Sequence, residues 1–272
     1  MASSLTEQQI KEMLDHMKGS DSVELKLTVP DTNIGSTAVL LGMDPLEAEI
    51  RQIVFFDTPD LSLNQVGLVV RARRIQGGAG DTVVKLRPIH PDDLPPEMSA
   101  SQNVKVEVDA MPRGFVCSAS MKGLATAAAV RSVTIGESAI KRLFSKEQRV
   151  LFRSRAPEGL KLNDLAILGP INILKLVFEP TGLKRKFVAE LWLYPDGSRL
   201  LELSTKCPPS KAFQVAAECR EYIAQKGIDL TAEQQPKTNR ALKYFSAQYK
   251  KAEEARQAAS AADQTLSGQD QA

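Results

Sequence analysis

Charged residues recur at every second position in several short stretches of this chain. Glu24 and Lys26 do so in SVELKLTV, Arg71 and Arg73 in GLVVRARR, and Lys85 and Arg87 in TVVKLRP. Lys105, Glu107 and Asp109 follow suit in NVKVEVD, and Glu202 and Lys206 in RLLELSTK. A β-strand alternates faces with period two, so each stretch gathers its charges on one face and its Val and Leu on the other. A sheet assembled from such strands has one ionic face, and a face so rich in Lys and Arg invites a polyanion.

The elements that must hold those faces follow from periodicity. Thr6 to Lys18 places Ile10, Met13, Leu14 and Met17 at helical spacing, with Gly19 positioned to end the helix. Strands are expected near 22–29, 50–57, 67–75, 81–88 and 103–110, the third and fourth joined by the glycines of Gly77 to Gly80. Ala/Ser-rich sequence from Cys117 to Val130, then Ser138 to Leu143, reads as helix inserted into the sheet, near 115–143. Strands return near 146–154, 171–178, 183–194 and 198–206, with Pro195-Asp196-Gly197 turning the last pair. Lys211 to Lys226 and Gln234 to about Glu254 read as helices. Beyond about Ala258 there is too little apolar surface to bury, and disorder is expected. The result is an α+β fold: an N-terminal helix over 1–20, a domain over 21–250 of about eight antiparallel strands, most simply a closed or nearly closed sheet, and a helix end with a disordered tail over 251–272.

Composition narrows the function. In 272 residues the net charge is only +2, so positive sites are local concentrations, and the uniform basic surface of a nonspecific nucleic-acid binder is absent. Three cysteines (Cys117, Cys207, Cys219) lack metal spacing and give no disulfide framework, which fits a reducing cytoplasm. No run reaches transmembrane length, and Met1 to Gly19 lacks the apolar core of a signal peptide. With His16 and His90 as the only histidines, His-based metal ligation or a Ser/His/Asp triad is disfavoured. Neither a nucleic-acid nor a membrane partner is expected, and the chain is expected to act as a monomer or homodimer.

Alternation leaves two orientations open. The charges could face water with the apolar face inward, or line the barrel interior beneath an apolar outer face covered by helices. In the second case the interior set is Glu24, Lys26, Arg71, Arg73, Lys85, Arg87, Lys105, Glu107, Asp109, Arg149, Arg153, Lys186, Glu190, Glu202 and Lys206. Those ten bases and five acids would repel one another unless carboxylates or a bound anion neutralise the excess.

A resemblance selects the second orientation. Phe55-Phe56-Asp57-Thr58-Pro59-Asp60-Leu61, followed by Gly67, Leu68, Arg71 and Arg73, resembles the signature stretch of the CYTH family, the triphosphate tunnel metalloenzymes. Glu24-Leu25-Lys26 is similar to the second half of that family's Glu-x-Glu-x-Lys opening strand, and Lys237-Thr238-Asn239-Arg240-Ala241 to the basic segment of its closing helix. The likeness spans about Asp21 to Phe245. It implies an eight-stranded antiparallel β-barrel, a tunnel with a charged lumen and helices packed outside, that takes in a triphosphate and hydrolyses it with Mg²⁺ or Mn²⁺. Lys26, Arg71, Arg73, Lys85, Arg87, Arg149, Arg153, Lys186 and Lys206 would then bind phosphate, with Lys26 and Glu24 catalytic. Glu24, Glu107, Asp109, Glu190 and Glu202 would hold metal. The chemistry is consistent: Arg offers phosphate a planar fork, Lys a point charge, and hard divalent cations prefer carboxylate oxygens.

Two departures matter. Ser22 stands where the opening motif has its first Glu, and Ser204 where relatives often carry a second acid, so a two-metal site is in doubt and turnover could be slow. The alternatives are a class IV-type adenylyl cyclase making cyclic AMP from ATP, and a catalytically weak module that binds polyphosphate or nucleotide. Other features have structural readings. Gly77 to Gly80 lacks the Gly-Lys-Ser/Thr of a P-loop and reads as a turn. Asp57 and Asp60 suit turn or cap roles, His90 a solvated loop, and Trp192 and Tyr194 packing. Lys105 and Lys186 fit the tunnel or its mouth equally.

Overall fold

The structure is a computed structural model that describes residues 6–112, 114–229 and 237–269. In chain order the elements are α1 (Glu7–Lys18), β1 (Ser22–Val29), α2 (Ile34–Leu41), β2 (Glu49–Asp57), α3 (Ser62–Gln65), β3 (Leu68–Ile75), β4 (Gly80–Leu86) and α4 (Pro96–Ser99). Then come β5 (Val104–Met111), β6 (Gly114–Ala125), α5 (Ala127–Thr134), α6 (Lys146–Arg153), β7 (Ala166–Phe178), β8 (Phe187–Leu193), β9 (Arg199–Cys207), α7 (Ala212–Gln225) and α8 (Lys237–Gln269).

The strands close into one barrel in the order β1-β5-β6-β4-β3-β2-β7-β8-β9, with β9 pairing back onto β1. Closure leaves no free sheet edge. This corrects the eight-stranded antiparallel expectation: among the described residues the barrel has nine strands, and β1 pairs with β5 in parallel. The reason lies in the connections. Segments 30–48 and 87–103 each carry the chain back along the barrel, so β1, β2 and β5 all start from the same end, and β5 settles beside β1 pointing the same way.

Two elements reverse the sequence expectation. The stretch read as helix from Cys117 is largely β6, where Cys117, Ala119 and Met121 are buried outward while Ser118, Ser120 and Lys122 stand on the face shared with Glu107 and Lys85. Pairing with β4 and β5 on both sides overrides the weak strand preference of Ala and Ser. The stretch 146–154, read as a strand, is helix α6. Ser145 and Gln148 form a capping box at its start. Gln148 also reaches into the barrel wall: its Nε2 donates to the carbonyls of Met121 (3.1 Å) and Thr82 (3.3 Å), and its Oε1 accepts from the Thr82 hydroxyl (3.1 Å).

The interior of the barrel divides between charge and hydrocarbon. Outside, α1, α5, α6 and α7 cover the apolar outer faces of the strands in one large core. Inside, one end is plugged by Ile53, Phe55, Leu168, Ile171, Ile173, Trp192, Tyr194 and Leu200, against which α8 packs Ala241, Leu242 and Phe245. Ser246 donates to the carbonyl of Pro59 (2.6 Å), tying α8 to the loop after β2. Helix α8 runs on to Gln269, past the expected end near Glu254 and into the segment read as disordered; its alanines favour helix without needing a core. Residues 270–272 lie outside the described residues. Among the described residues, no helix is long and apolar enough to cross a membrane.

Candidate active site

The inward faces of β1, β3, β4, β5, β8 and β9 bring together most of the expected charges. Strand register does this directly: Glu24 lies opposite Asp109 and Lys206, Lys26 opposite Ser204, and Glu190 opposite Glu202. At the centre, Lys26 Nζ stands 3.1 Å from Glu24 and 3.0 Å from Asp109. Asp109 is fully buried, and its other oxygen takes Arg87 at 3.0 Å, with Lys85 further off at 4.0 Å. Carboxylate oxygens of Glu24, Glu107 and Asp109 lie within 4.8 Å of one another. Ser22 Oγ donates to Glu107 at 3.4 Å, and Lys206 reaches the same carboxylate from the rim.

Electrostatics separates satisfied from unsatisfied groups. Burial would lower the Lys26 ammonium, but Asp109 and then Glu24 overcome it and hold Lys26 well above its ordinary value. Burial would raise Asp109, yet Lys26, Lys85 and Arg87 press it far below the usual carboxylate range. Glu107 goes the other way, raised by burial and by the neighbouring Glu24. Lys85 is pushed down to about 8 by burial, with Lys26 and Arg87 adding to the effect and Asp109 only partly offsetting it. Arg71 is brought down to about 10 by burial and by Arg73. Its Nε is buried without a hydrogen-bond partner, and among the described residues the guanidinium makes no ion pair.

A second cluster adjoins the apolar plug. Lys237, at the start of α8, donates to Glu190 (2.5 Å) and to Glu202 (2.6 Å) and lies over the Trp192 ring, 5.3 Å from its centroid. Trp192 Nε1 also donates to Glu190, at 3.4 Å. Glu190 is held far down despite its burial, chiefly by Lys237 and then by Arg71. A third group is a bidentate pair of Arg73 with Asp81 (2.7 and 2.5 Å), joined by Lys122 at 3.1 Å.

The expected phosphate set is therefore only partly assembled. Lys26, Arg71, Arg73, Lys85 and Arg87 share the interior, and Lys206 stands at its rim, 58% exposed. Arg149 and Arg153 do not belong: both ride on α6, which packs against the outside of β4 and β6. Lys186 precedes β8 and is exposed, its carbonyl accepting from Thr205. Lys105 lies at the rim near Asp21, 67% exposed. The five expected metal acids divide into the Glu24, Glu107 and Asp109 triad and the Glu190 and Glu202 pair held by Lys237.

Sequence reasoning missed Asp81, Lys122 and the role of Lys237. Asp81 shares the alternation of Lys85 and Arg87, which was the available signal; Lys122 was hidden by reading β6 as helix. Asp57 is structural, as expected: its buried carboxylate accepts from the backbone N–H groups of Thr58 (2.7 Å), Leu63 (2.9 Å) and Asn64 (3.0 Å), fixing α3. Trp192 and Tyr194 are packing residues of the plug. His90 is not simply solvated: its ring lies 4.6 Å from that of His16, away from the barrel interior.

No family model matches the chain, and no curated protein matches it in sequence. Solved structures do match in shape. A candidate adenylyl cyclase from Hippeastrum, described as having a dominant triphosphatase activity, superposes with a TM-score of 0.58 at 15% identity, covering 79% of this chain and 92% of that one. A candidate adenylate cyclase from Bacillus halodurans gives 0.56 at 10% identity, covering 81% and 97%. At such identities the likeness is one of fold, and the fold is CYTH-like.

Proposed function

We propose that this chain is a metal-dependent triphosphatase that hydrolyses inorganic tripolyphosphate or a nucleoside or organic triphosphate. The supporting observation is the pair Arg71 and Lys85: two cations inside the barrel, one making no ion pair among the described residues and the other 4.0 Å from its nearest carboxylate. Burying charge without compensation is costly. A polyanion entering between them supplies the compensation, while the paired bases Lys26, Arg87 and Arg73 hold further oxygens.

The donor set for a hard divalent cation is the Glu24, Glu107 and Asp109 triad, all oxygen and close enough to converge on one ion. Bound there, Mg²⁺ or Mn²⁺ supplies charge neutralisation at phosphate and a more acidic water. The chain's own groups do the remainder. Arg71 and Lys85 fix the phosphate chain, and Lys26 neutralises charge as the anhydride oxygen leaves with the diphosphate. Glu24, kept ionised by Lys26 and then Lys206 despite burial, accepts a hydrogen bond from the attacking water. The inward aromatic side chains Phe55, Trp192 and Tyr194 are packed in the plug, which favours hydrolysis over a reaction needing an adenine pocket.

Phosphate release from tripolyphosphate, ATP and thiamine triphosphate with Mg²⁺ or Mn²⁺, with cyclic AMP read from the ATP arm, tests the reading. Release that Lys26→Ala abolishes is expected. Cyclic AMP as the main ATP product would favour the cyclase instead. Tight tripolyphosphate binding without release, with turnover gained on Ser22→Glu, would leave a binding module.

A further inference from the structure

Glu190 and Glu202 are direct neighbours across β8 and β9, facing the same way into the barrel. Like charges so placed repel and require a cation between them. In this chain the cation is part of the fold. Lys237 Nζ lies 2.5 Å from one carboxylate and 2.6 Å from the other, the seat a bridging metal would take. Its position is set from several sides: the Trp192 ring lies under the ammonium, and the Lys237 carbonyl accepts from Tyr194 Oη at 3.2 Å. Ala241, Leu242 and Phe245, one and two turns further along α8, are anchored in the plug.

We propose that Lys237 is the resident counter-ion of the Glu190 and Glu202 pair, excluding a divalent cation from it and leaving the Glu24, Glu107 and Asp109 triad as the one metal site among the described residues. The triad differs in geometry. Lys26 bridges only Glu24 and Asp109, and Glu107 is left to Lys206, which reaches in from the exposed rim. The Glu190 and Glu202 pair has both members on one nearly buried ammonium. Ser204, beside Glu202 on the inward face of β9 and opposite Lys26, adds no carboxylate to that wall. The inference rests on the proposed function only through the triad.

The test counts Mn²⁺ bound, by calorimetry and by electron paramagnetic resonance, and follows thermal unfolding with and without Mn²⁺. Wild type is expected to bind one ion, and Lys237→Met two. Lys237→Met should also unfold at a lower temperature in metal-free buffer, and Mn²⁺ should raise its Tm more than it raises that of wild type. No added ion in Lys237→Met would overturn the proposal. Should that variant fail to fold, Glu190→Gln/Glu202→Gln decides: an unchanged Mn²⁺ count supports the proposal, and a count reduced by one defeats it. Glu107→Gln isolates the other reading. If wild type binds no Mn²⁺ and Lys237→Met binds one, the triad fails as a metal site while the role of Lys237 stands.

Discussion

Lys26 Nζ and the Asp109 carboxylate meet at 3.0 Å across the one parallel seam of the barrel, where β1 joins β5. Asp109 is fully buried and Lys26 nearly so, and each is the other's strongest charge partner. Removing one member of such a pair strands the other, at a cost of roughly 3–5 kcal/mol. Asp109→Ala is therefore expected to lower unfolding free energy in urea by about that amount, with Lys26, Lys85 and Arg87 left in mutual repulsion. The acid dependence follows from sign. Asp109 titrates lower folded than unfolded, so its contribution is present above its ordinary value of 3.8 and fades as pH falls below it. Wild type should lose stability steeply in that window and Asp109→Ala less so. Equal slopes would contradict the pairing.

Lys85 predicts the opposite trend in alkali. Its folded value of about 8 lies below the ordinary 10.5, so the unfolded chain holds the extra proton between the two. Its contribution to stability therefore rises with pH from about 8 to 10.5, where most lysines contribute in the reverse sense. Anion binding needs the charged form. Tripolyphosphate affinity should weaken as pH climbs through about 8, with proton uptake on binding in that range. Calorimetry in buffers of different ionisation enthalpy measures the uptake. Lys85→Arg, which does not titrate there, should flatten the profile.

Arg71 and the pair on α6 separate inside from outside. Arg71→Ala should lower kcat/KM for phosphate release on the order of 100-fold, the loss of a bidentate cation at the reacting anion. Arg149→Ala and Arg153→Ala should stay within about twofold of wild type, since surface charges away from the site act weakly. A large loss on either helix substitution would mean that α6 contributes to the site after all.

What the sequence disclosed, and what it hid, has a common physical cause. Where alternation was strict and charged, as in Glu24 and Lys26 or Arg71 and Arg73, a two-residue period fixed both the strand and the face. It faltered where side chains carried little contrast. Cys117, Ala119 and Met121 against Ser118 and Ser120 is an alternation too faint to outweigh the helical look of Ala and Ser, and with it went Lys122. At 146–154 the charges Arg149 and Arg153 drew attention away from Ser145 and Gln148, whose spacing is a helix-start signal. The division of the interior was also hidden, because Trp192 and Leu200 share a face with Glu190 and Glu202, and only assembly shows the apolar half gathered under α8.

That apolar half supplies the last prediction. Trp192 is fully buried between Phe55, 6.5 Å away in a stacked arrangement, and the Lys237 ammonium. Trp192→Ala leaves a cavity costing roughly 3–5 kcal/mol, and also removes the ring from under the cation. Trp192→Phe keeps most of the volume and a π face but loses the Nε1 donation to Glu190, so it should cost far less. Hydrogen exchange should show the difference locally. In Trp192→Ala the amides of α8 near Ala241 and Leu242 lose protection, whereas those of β1 and β5, on the charged wall, keep theirs. Uniform loss across both would mean that plug and ionic wall unfold together, and that α8 has no independent seat.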